Sequence, residues 1–175
     1  MNAVFWQRLD KAARSITPFG LTLFLVVLSV IPTRIPGYAE IAPVLALMSV
    51  YHWAIYRPNL IPLWAVFILG FLQDLLSGVP LGLYIMVFLT VYGVVLSQRR
   101  FFAGKSFMLY WLGFGVIAFG AALESWMLAS LWNLTLLKFE TVFFQYLVSL
   151  GIFPIVAWIF LRWQQALLGQ DEDAS

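Results

Sequence analysis

The chain has 175 residues, of which 63% are hydrophobic and 10% charged, and its mean hydropathy is +0.93. A soluble domain usually carries about 25% charged and about 45–50% apolar residues, so this composition excludes a water-soluble globule and predicts an integral membrane protein. The basic residues behind the net charge of +2 are scattered, and the chain has one histidine and no cysteine, so the sequence predicts neither a nucleic acid partner nor a zinc, haem or other cofactor.

Residues 1–16 are predicted to form an amphipathic cytoplasmic segment. Phe5, Leu9, Ala12 and Ile16 recur at helical spacing, and such a helix can rest on the membrane surface. Two other interpretations are open: a basic extension of the first span, and a signal peptide. No A-x-A cleavage site follows, so we expect the segment to be retained.

Six apolar runs follow, and each predicts a transmembrane helix. Several are shorter than the roughly 20 apolar residues that a perpendicular span needs. They are apolar on all sides, whereas the strands of a membrane barrel alternate polar and apolar residues. The predicted fold is therefore an all-α bundle of six transmembrane helices with short loops, in which Pro154 bends the last helix. The runs cover residues 19–31, 41–56, 60–76, 81–97, 107–132 and 143–163.

The basic residues orient this bundle. With the N-terminus inside, the cytoplasmic segments hold eight lysines and arginines and the outer loops hold two, Arg34 and Lys138. The positive-inside rule then places both termini in the cytoplasm. Residues 1–175 form one transmembrane domain, and residues 164–175 form an acidic cytoplasmic tail. The eight inner residues are Arg8, Lys11, Arg14, Arg57, Arg99, Arg100, Lys105 and Arg162.

The sequence GFLQDLLSGVPLG, residues 70–82, predicts a hinge between the third and fourth helices at the outer membrane surface. Asp74 stands at the end of an apolar run, and the small-residue turn 77–80 follows it. Two interpretations of Asp74 are open. It shapes a docking surface, or it is a helix-end residue hydrogen-bonded to turn amides at Ser77 or Gly78, and both can hold together because a structured turn can also be a docking surface.

Ionisable residues inside membrane helices are candidates for functional sites, because charge there costs at least about 2.5 kcal/mol. Glu124 of the fifth helix should share the depth of Asp74, with Gln145 of the sixth helix somewhat further out. Helical spacing places Glu124 beside Ala121 and Ser125, and therefore towards the bundle interior or a partner helix. It either contributes to an outer polar pocket or to a hydrogen bond that binds a partner, or it is a protonated glutamic acid that ties helices together.

The sequence predicts no enzyme. His52 should lie towards the opposite membrane face from Ser77 and Asp74, which argues against a catalytic triad. We interpret it as an interfacial residue, with a proton relay as the alternative. Residues 104–106 reproduce only the end of a phosphate-binding loop.

The chain also resembles a known family. Tyr56-Arg57-Pro58, which closes the second apolar run, and the segment 70–83 resemble the signature of the rod shape-determining protein MreD family. The resemblance implies candidate motif and partner-surface residues at Tyr56, Arg57, Pro58, Gly70, Gln73, Asp74, Ser77, Gly78, Pro80 and Gly82.

The resemblance implies a scaffold in the bacterial inner membrane. Such a protein binds membrane lipid and MreC, and helps connect MreB filaments to RodA and a class B penicillin-binding protein during peptidoglycan synthesis. The family is similar in fold to the membrane substrate-binding subunits of energy-coupling-factor transporters. That similarity leaves an alternative function, a vitamin-binding transporter subunit with Asp74, Glu124 and Gln145 lining an outer pocket.

Overall fold

The computed structural model describes residues 17–29, 44–102 and 106–168. The predicted amphipathic segment, residues 1–16, lies outside the described residues, as do residues 169–175 of the predicted acidic tail. The backbone of residues 164–168 belongs to the last helix, so the described start of that tail is helical.

The described residues fold into six α-helices, and each overlaps one predicted apolar run. Two of them, Phe107–Asn133 and Phe139–Trp163 within the last helix, are long and apolar enough to cross a membrane, and Thr17–Ser29 and Leu63–Ser77 are shorter apolar helices. The six are α1 (Thr17–Ser29), α2 (Leu45–Tyr56), α3 (Leu63–Ser77), α4 (Leu83–Phe102), α5 (Phe107–Asn133) and α6 (Phe139–Leu168).

Helix α2 is the core of the molecule. Every residue from Ala46 to Ile55 is buried, because α4, α5 and α6 all pack against this helix and the hydroxyl of Thr22 in α1 hydrogen-bonds to that of Ser49 at 2.7 Å. A helix that is apolar on all sides is expected to be enclosed by protein or lipid. Here the neighbouring helices enclose it.

Aromatic rings join α2 to α5 and α6. Phe114 of α5 stacks on Phe153 of α6 with ring centroids 3.9 Å apart, and Tyr51 of α2 meets both rings edge-on. The outward faces are also apolar: Val116 of α5 is 75% exposed and Trp64 of α3 is 63% exposed. Apolar side chains on both the inner and outer faces are expected of a bundle whose solvent is lipid.

Pro154 lies inside α6 and leaves the carbonyl of Leu150 without its helical amide partner. The indole nitrogen of Trp111 in α5 donates a hydrogen bond to that carbonyl at 3.1 Å. A neighbouring helix therefore supplies the donor that proline cannot, which is the condition for tolerating proline in a membrane helix.

We expect Trp111→Phe to lower the free energy of unfolding by about 1 kcal/mol, because the Leu150 carbonyl loses its donor. Pro154→Ala restores the amide and should abolish most of this effect in the double variant. Thermal unfolding in detergent compares the stability of the two single variants and the double variant with that of the wild type. Equal losses from Trp111→Phe with proline or alanine at position 154 would contradict the pairing.

Candidate functional site

The turn between α3 and α4 is built around two glycines. Gly78 caps the end of α3 in the left-handed conformation, with φ of 66°, and Gly82 precedes α4 with φ of 107°. Residues that carry a side chain rarely adopt these backbone angles, whereas glycine adopts them freely. The two glycines of the motif therefore fix where α3 ends and how α4 begins.

Asp74 is fully buried and holds the start of α4. Its Oδ1 accepts a hydrogen bond from the amide of Tyr84 at 2.7 Å, and its Oδ2 accepts bonds from the amides of Gly82 at 2.8 Å and Ile85 at 3.4 Å. The first amides of a helix have no partners within it and carry the positive end of the helix dipole. A carboxylate from α3 thus caps α4.

Asp74 is a helix-end residue that accepts hydrogen bonds from backbone amides, as one of the two interpretations predicted, but the predicted partners are wrong. The amides belong to Gly82, Tyr84 and Ile85, not to Ser77 or Gly78. The reason is the left-handed turn at Gly78, which folds the chain back so that the beginning of α4, rather than the end of α3, lies over the carboxylate.

Gly70 allows α3 and α4 to approach closely at this point. A Cβ atom added to Gly70 would lie 2.7 Å from the Cα of Ile85 and 3.0 Å from the carbonyl oxygen of Tyr84. Gln73 is buried beside Asp74, and its Nε2 donates to the hydroxyl of Ser77 at 2.9 Å. The hairpin of α3 and α4 is therefore packed backbone against backbone.

At the opposite end of α3, the second part of the motif forms a tight connection. Helix α2 ends at Tyr56, exposed Arg57 follows, and Pro58 opens a single 3₁₀ turn. The hydroxyl of Tyr92 in α4 donates to the carbonyl of Ile61 at 2.7 Å and contacts that of Pro58 at 3.3 Å. Sequence reasoning missed Tyr92, which fastens this connection to α4.

Glu124 lies on the side of α5 that meets α4. Its Oε1 accepts a hydrogen bond from the hydroxyl of Thr90 at 2.9 Å; Glu124 is partly exposed and Thr90 is exposed. Thr90 lies five residues beyond Ile85, about 7–8 Å further along α4. The prediction that Asp74 and Glu124 share one depth is therefore wrong, because the carboxylate of Asp74 in α3 contacts the very start of α4.

Gln145 is placed differently again. Its side chain hydrogen-bonds to that of Tyr84, and both line a cavity of about 30 Å³ between α2, α4, α5 and α6. Neither Asp74 nor Glu124 lines this cavity. A space of this size holds about one water molecule, so the three polar residues do not converge on a pocket for a small molecule.

His52 is fully buried, so its interpretation as an interfacial residue is wrong. Its Nδ1 lies 2.9 Å from the hydroxyl of Tyr110, and the backbone carbonyl of Tyr110 accepts a hydrogen bond from Tyr51 at 2.9 Å. Hydropathy could not reveal this role, since Tyr110, which contacts Nδ1 of His52, lies on a neighbouring helix. In the described part of the chain, no group of three acidic or histidine residues could hold a metal ion.

An apolar groove opens beside the turn of the hairpin. Residues 80–83 form one wall and the end of α5 forms the other, and the open groove between them has a volume of about 480 Å³. Leu81 is 58% exposed and Leu134, which follows α5, is 87% exposed. We call this feature the hairpin groove; its α5 side consists of Leu128, Leu131, Trp132 and Leu134.

Comparison with known proteins identifies the family. An uncharacterized protein of Rickettsia prowazekii (strain Madrid E) is 23% identical over 140 residues, which is 79% of each chain. No solved structure matches the chain significantly. The family described as rod shape-determining protein MreD matches residues 11–168. This match includes every motif residue described above, and the chain belongs to the MreD family of rod shape-determining proteins.

Proposed function

We propose that the chain is a non-enzymatic membrane scaffold of the bacterial elongation (rod) complex. In this role it binds MreC and helps couple MreB filaments to peptidoglycan synthesis by RodA and a class B penicillin-binding protein, and so maintains cell shape. The observation that carries the proposal is the match to the MreD family over residues 11–168, and the fixed hairpin of α3 and α4 supports it. Its motif residues cap, turn and pack the backbone, and they leave an apolar groove at the surface.

The chemistry of the motif supports docking rather than catalysis. Asp74 is buried and its oxygens accept hydrogen bonds from backbone amides, so it stabilises the turn between α3 and α4. Pro80 and Leu81 instead present apolar atoms at the hairpin groove. Fixed apolar pockets with good shape complementarity are where interfaces concentrate their binding energy.

We propose that all six helices traverse the bacterial inner membrane, with both termini in the cytoplasm. The antiparallel arrangement of α3, α4 and α5 supports this topology, because Arg57, Arg99 and Arg100 then lie at one end of the bundle. Enclosure of α2 by its neighbours supports a span of only 12 residues there. A six-helix fold shared with energy-coupling-factor subunits belongs to the same proposal.

The transporter alternative receives no support from the geometry. It requires Asp74, Glu124 and Gln145 to meet at a ligand. Asp74 instead caps α4, Glu124 bonds to Thr90 at the protein surface, and Gln145 lines a cavity of about 30 Å³.

Co-purification in detergent tests the scaffold function. We expect MreC from the same cell to co-purify with the tagged chain, and Leu81→Ala with Leu134→Ala to reduce recovery about tenfold, as loss of well-packed apolar anchors does. Val116→Ala, on another exposed face, is the matched control and should leave recovery unchanged. A folded wild-type chain that retains no MreC would refute the proposal.

A further inference from the structure

Helices α4 and α5 meet along a line that is open to the membrane. We call this line the α4–α5 seam; it runs from Gly93 and Gly120, past Thr90 and Glu124, to the hairpin groove. The helices are antiparallel here, since Thr90 contacts Glu124 and Leu83 faces Leu131 across the groove. The seam therefore extends from the middle of both helices to the family motif.

The polar pair in the seam lies deep within the helices. Thr90 is seven residues from the start of α4 and Glu124 nine residues from the end of α5, which correspond to about 10 Å and about 14 Å. Thr90 is exposed and Glu124 is partly exposed. Ionisable groups at such depth usually face a protein interior or a polar partner rather than lipid, so this surface has the character of one that another helix covers.

Hydrogen bonding at the pair is incomplete. Thr90 donates to Oε1 of Glu124, and within the described residues no other group bonds to this carboxyl. A carboxyl group has acceptor capacity for several donors. A helix that lies in the seam can therefore satisfy Glu124 by presenting a hydroxyl, amide or indole donor, which in lipid has few other partners.

The seam also has room for a helix. A Cβ atom added to Gly93 or Gly120 would meet nothing within 4 Å, and both residues are exposed. Exposed glycines let a second backbone approach closely. At the outer end, the hairpin groove offers an apolar space of about 480 Å³ for a bulky side chain.

We propose that the α4–α5 seam is the docking site for a single transmembrane helix that donates a hydrogen bond to Glu124 and fills the hairpin groove. A second copy of this chain fits the seam less well, because a two-fold interface would place two Glu124 carboxylates against each other. The ionised groups would repel, and Thr90, which already donates to Glu124 within its own copy, would bring no further donor. A different protein supplies the helix. Identifying this protein with MreC rests on the proposed function.

Site-directed crosslinking tests the location, and the absence of cysteine from the chain makes the experiment clean. Single cysteines at Gly93 and Gly120 are labelled with a thiol-reactive benzophenone in membranes that contain MreC, and irradiated. The matched control is Gly151→Cys on α6, which is likewise exposed with nothing within 4 Å of an added Cβ. We expect MreC adducts from positions 93 and 120 and few from 151.

The possible outcomes distinguish the proposed scaffold function from the proposed docking site at the α4–α5 seam. Adducts of MreC from position 151 alone would overturn the seam while leaving the scaffold function intact. Adducts of another membrane protein at 93 and 120 would support the seam and contradict the role of MreC. Adducts between two copies of this chain would overturn the seam as the site of a different protein, and so would no adduct at either seam position.

Paired substitutions test the same surface without a label. Gly120→Leu should reduce MreC recovery about tenfold, whereas Gly151→Leu should not. Both proteins should be at least as stable as the wild type, because a Cβ atom at either position meets nothing within 4 Å and leucine favours a helix over glycine. Glu124→Gln keeps an acceptor and should retain MreC, while Glu124→Leu should lose it. Equal recovery of the Glu124→Leu and wild-type complexes would overturn the hydrogen bond.

Discussion

Replacing Asp74 with alanine is expected to lower the free energy of unfolding by about 3 kcal/mol, the largest effect of any single side-chain truncation in the hairpin. The carboxylate is fully buried and accepts amide hydrogen bonds from Gly82, Tyr84 and Ile85. Alanine would leave the first amides of α4 without an acceptor in a region that water does not readily reach, and each unsatisfied buried donor costs about 1–3 kcal/mol.

Thermal unfolding in detergent measures this loss, and two further variants interpret it. Asp74→Asn keeps one acceptor oxygen and the side-chain volume, so we expect an intermediate loss. Glu140→Ala removes an exposed carboxylate in the first turn of α6 and should change stability little. If Asp74→Ala unfolded at the wild-type temperature, the carboxylate would not be what holds the start of α4.

The second large effect is expected at Gly70. Gly70→Ala places a Cβ atom 2.7 Å from the Cα of Ile85 and 3.0 Å from its amide nitrogen. Both contacts are with backbone, which cannot rotate away as a side chain can, so α3 and α4 must separate. Overpacking of this kind typically costs about 1–3 kcal/mol, and the separation should also lengthen the hydrogen bonds to Asp74.

Gly93→Ala provides the matched control, because it adds the same methyl group to a helix at a site with nothing within 4 Å. Alanine favours a helix over glycine by about 1 kcal/mol, so this variant should be as stable as the wild type or slightly more so. Unfolding temperatures in one detergent compare the two. Similar values for Gly70→Ala and Gly93→Ala would show that the helices do not meet at Gly70.

The helices and the turn were predictable because they depend on local properties of the sequence. Apolar runs between polar or proline-containing segments marked all six helices, and Ser77-Gly78 marked the end of α3. The freed carbonyl near Pro154 also followed from sequence, since proline lacks an amide. The sequence could not identify Trp111 as the donor to this carbonyl, because Trp111 lies on another helix.

The contacts that define the candidate site depend instead on how helices pack, which composition does not record. An apolar residue that faces lipid and one that faces protein have the same hydropathy, so the burial of His52 and the role of Tyr92 were not readable. Helical spacing gave the neighbours of Glu124 on its own helix but not the neighbouring helix. Its position opposite Thr90 follows only from the packing of α4 on α5.

The enclosure of α2 has a consequence for biosynthesis. Helix α2 leaves the ribosome early, yet Phe153 and Phe160 of α6, which cover Tyr51 and His52, are made near the end of the chain. Until α6 enters the membrane, these polar side chains lack part of their covering. Chains that stop before α6 are therefore expected to be substrates for membrane proteases. Only chains that contain α6 should then accumulate in the membrane.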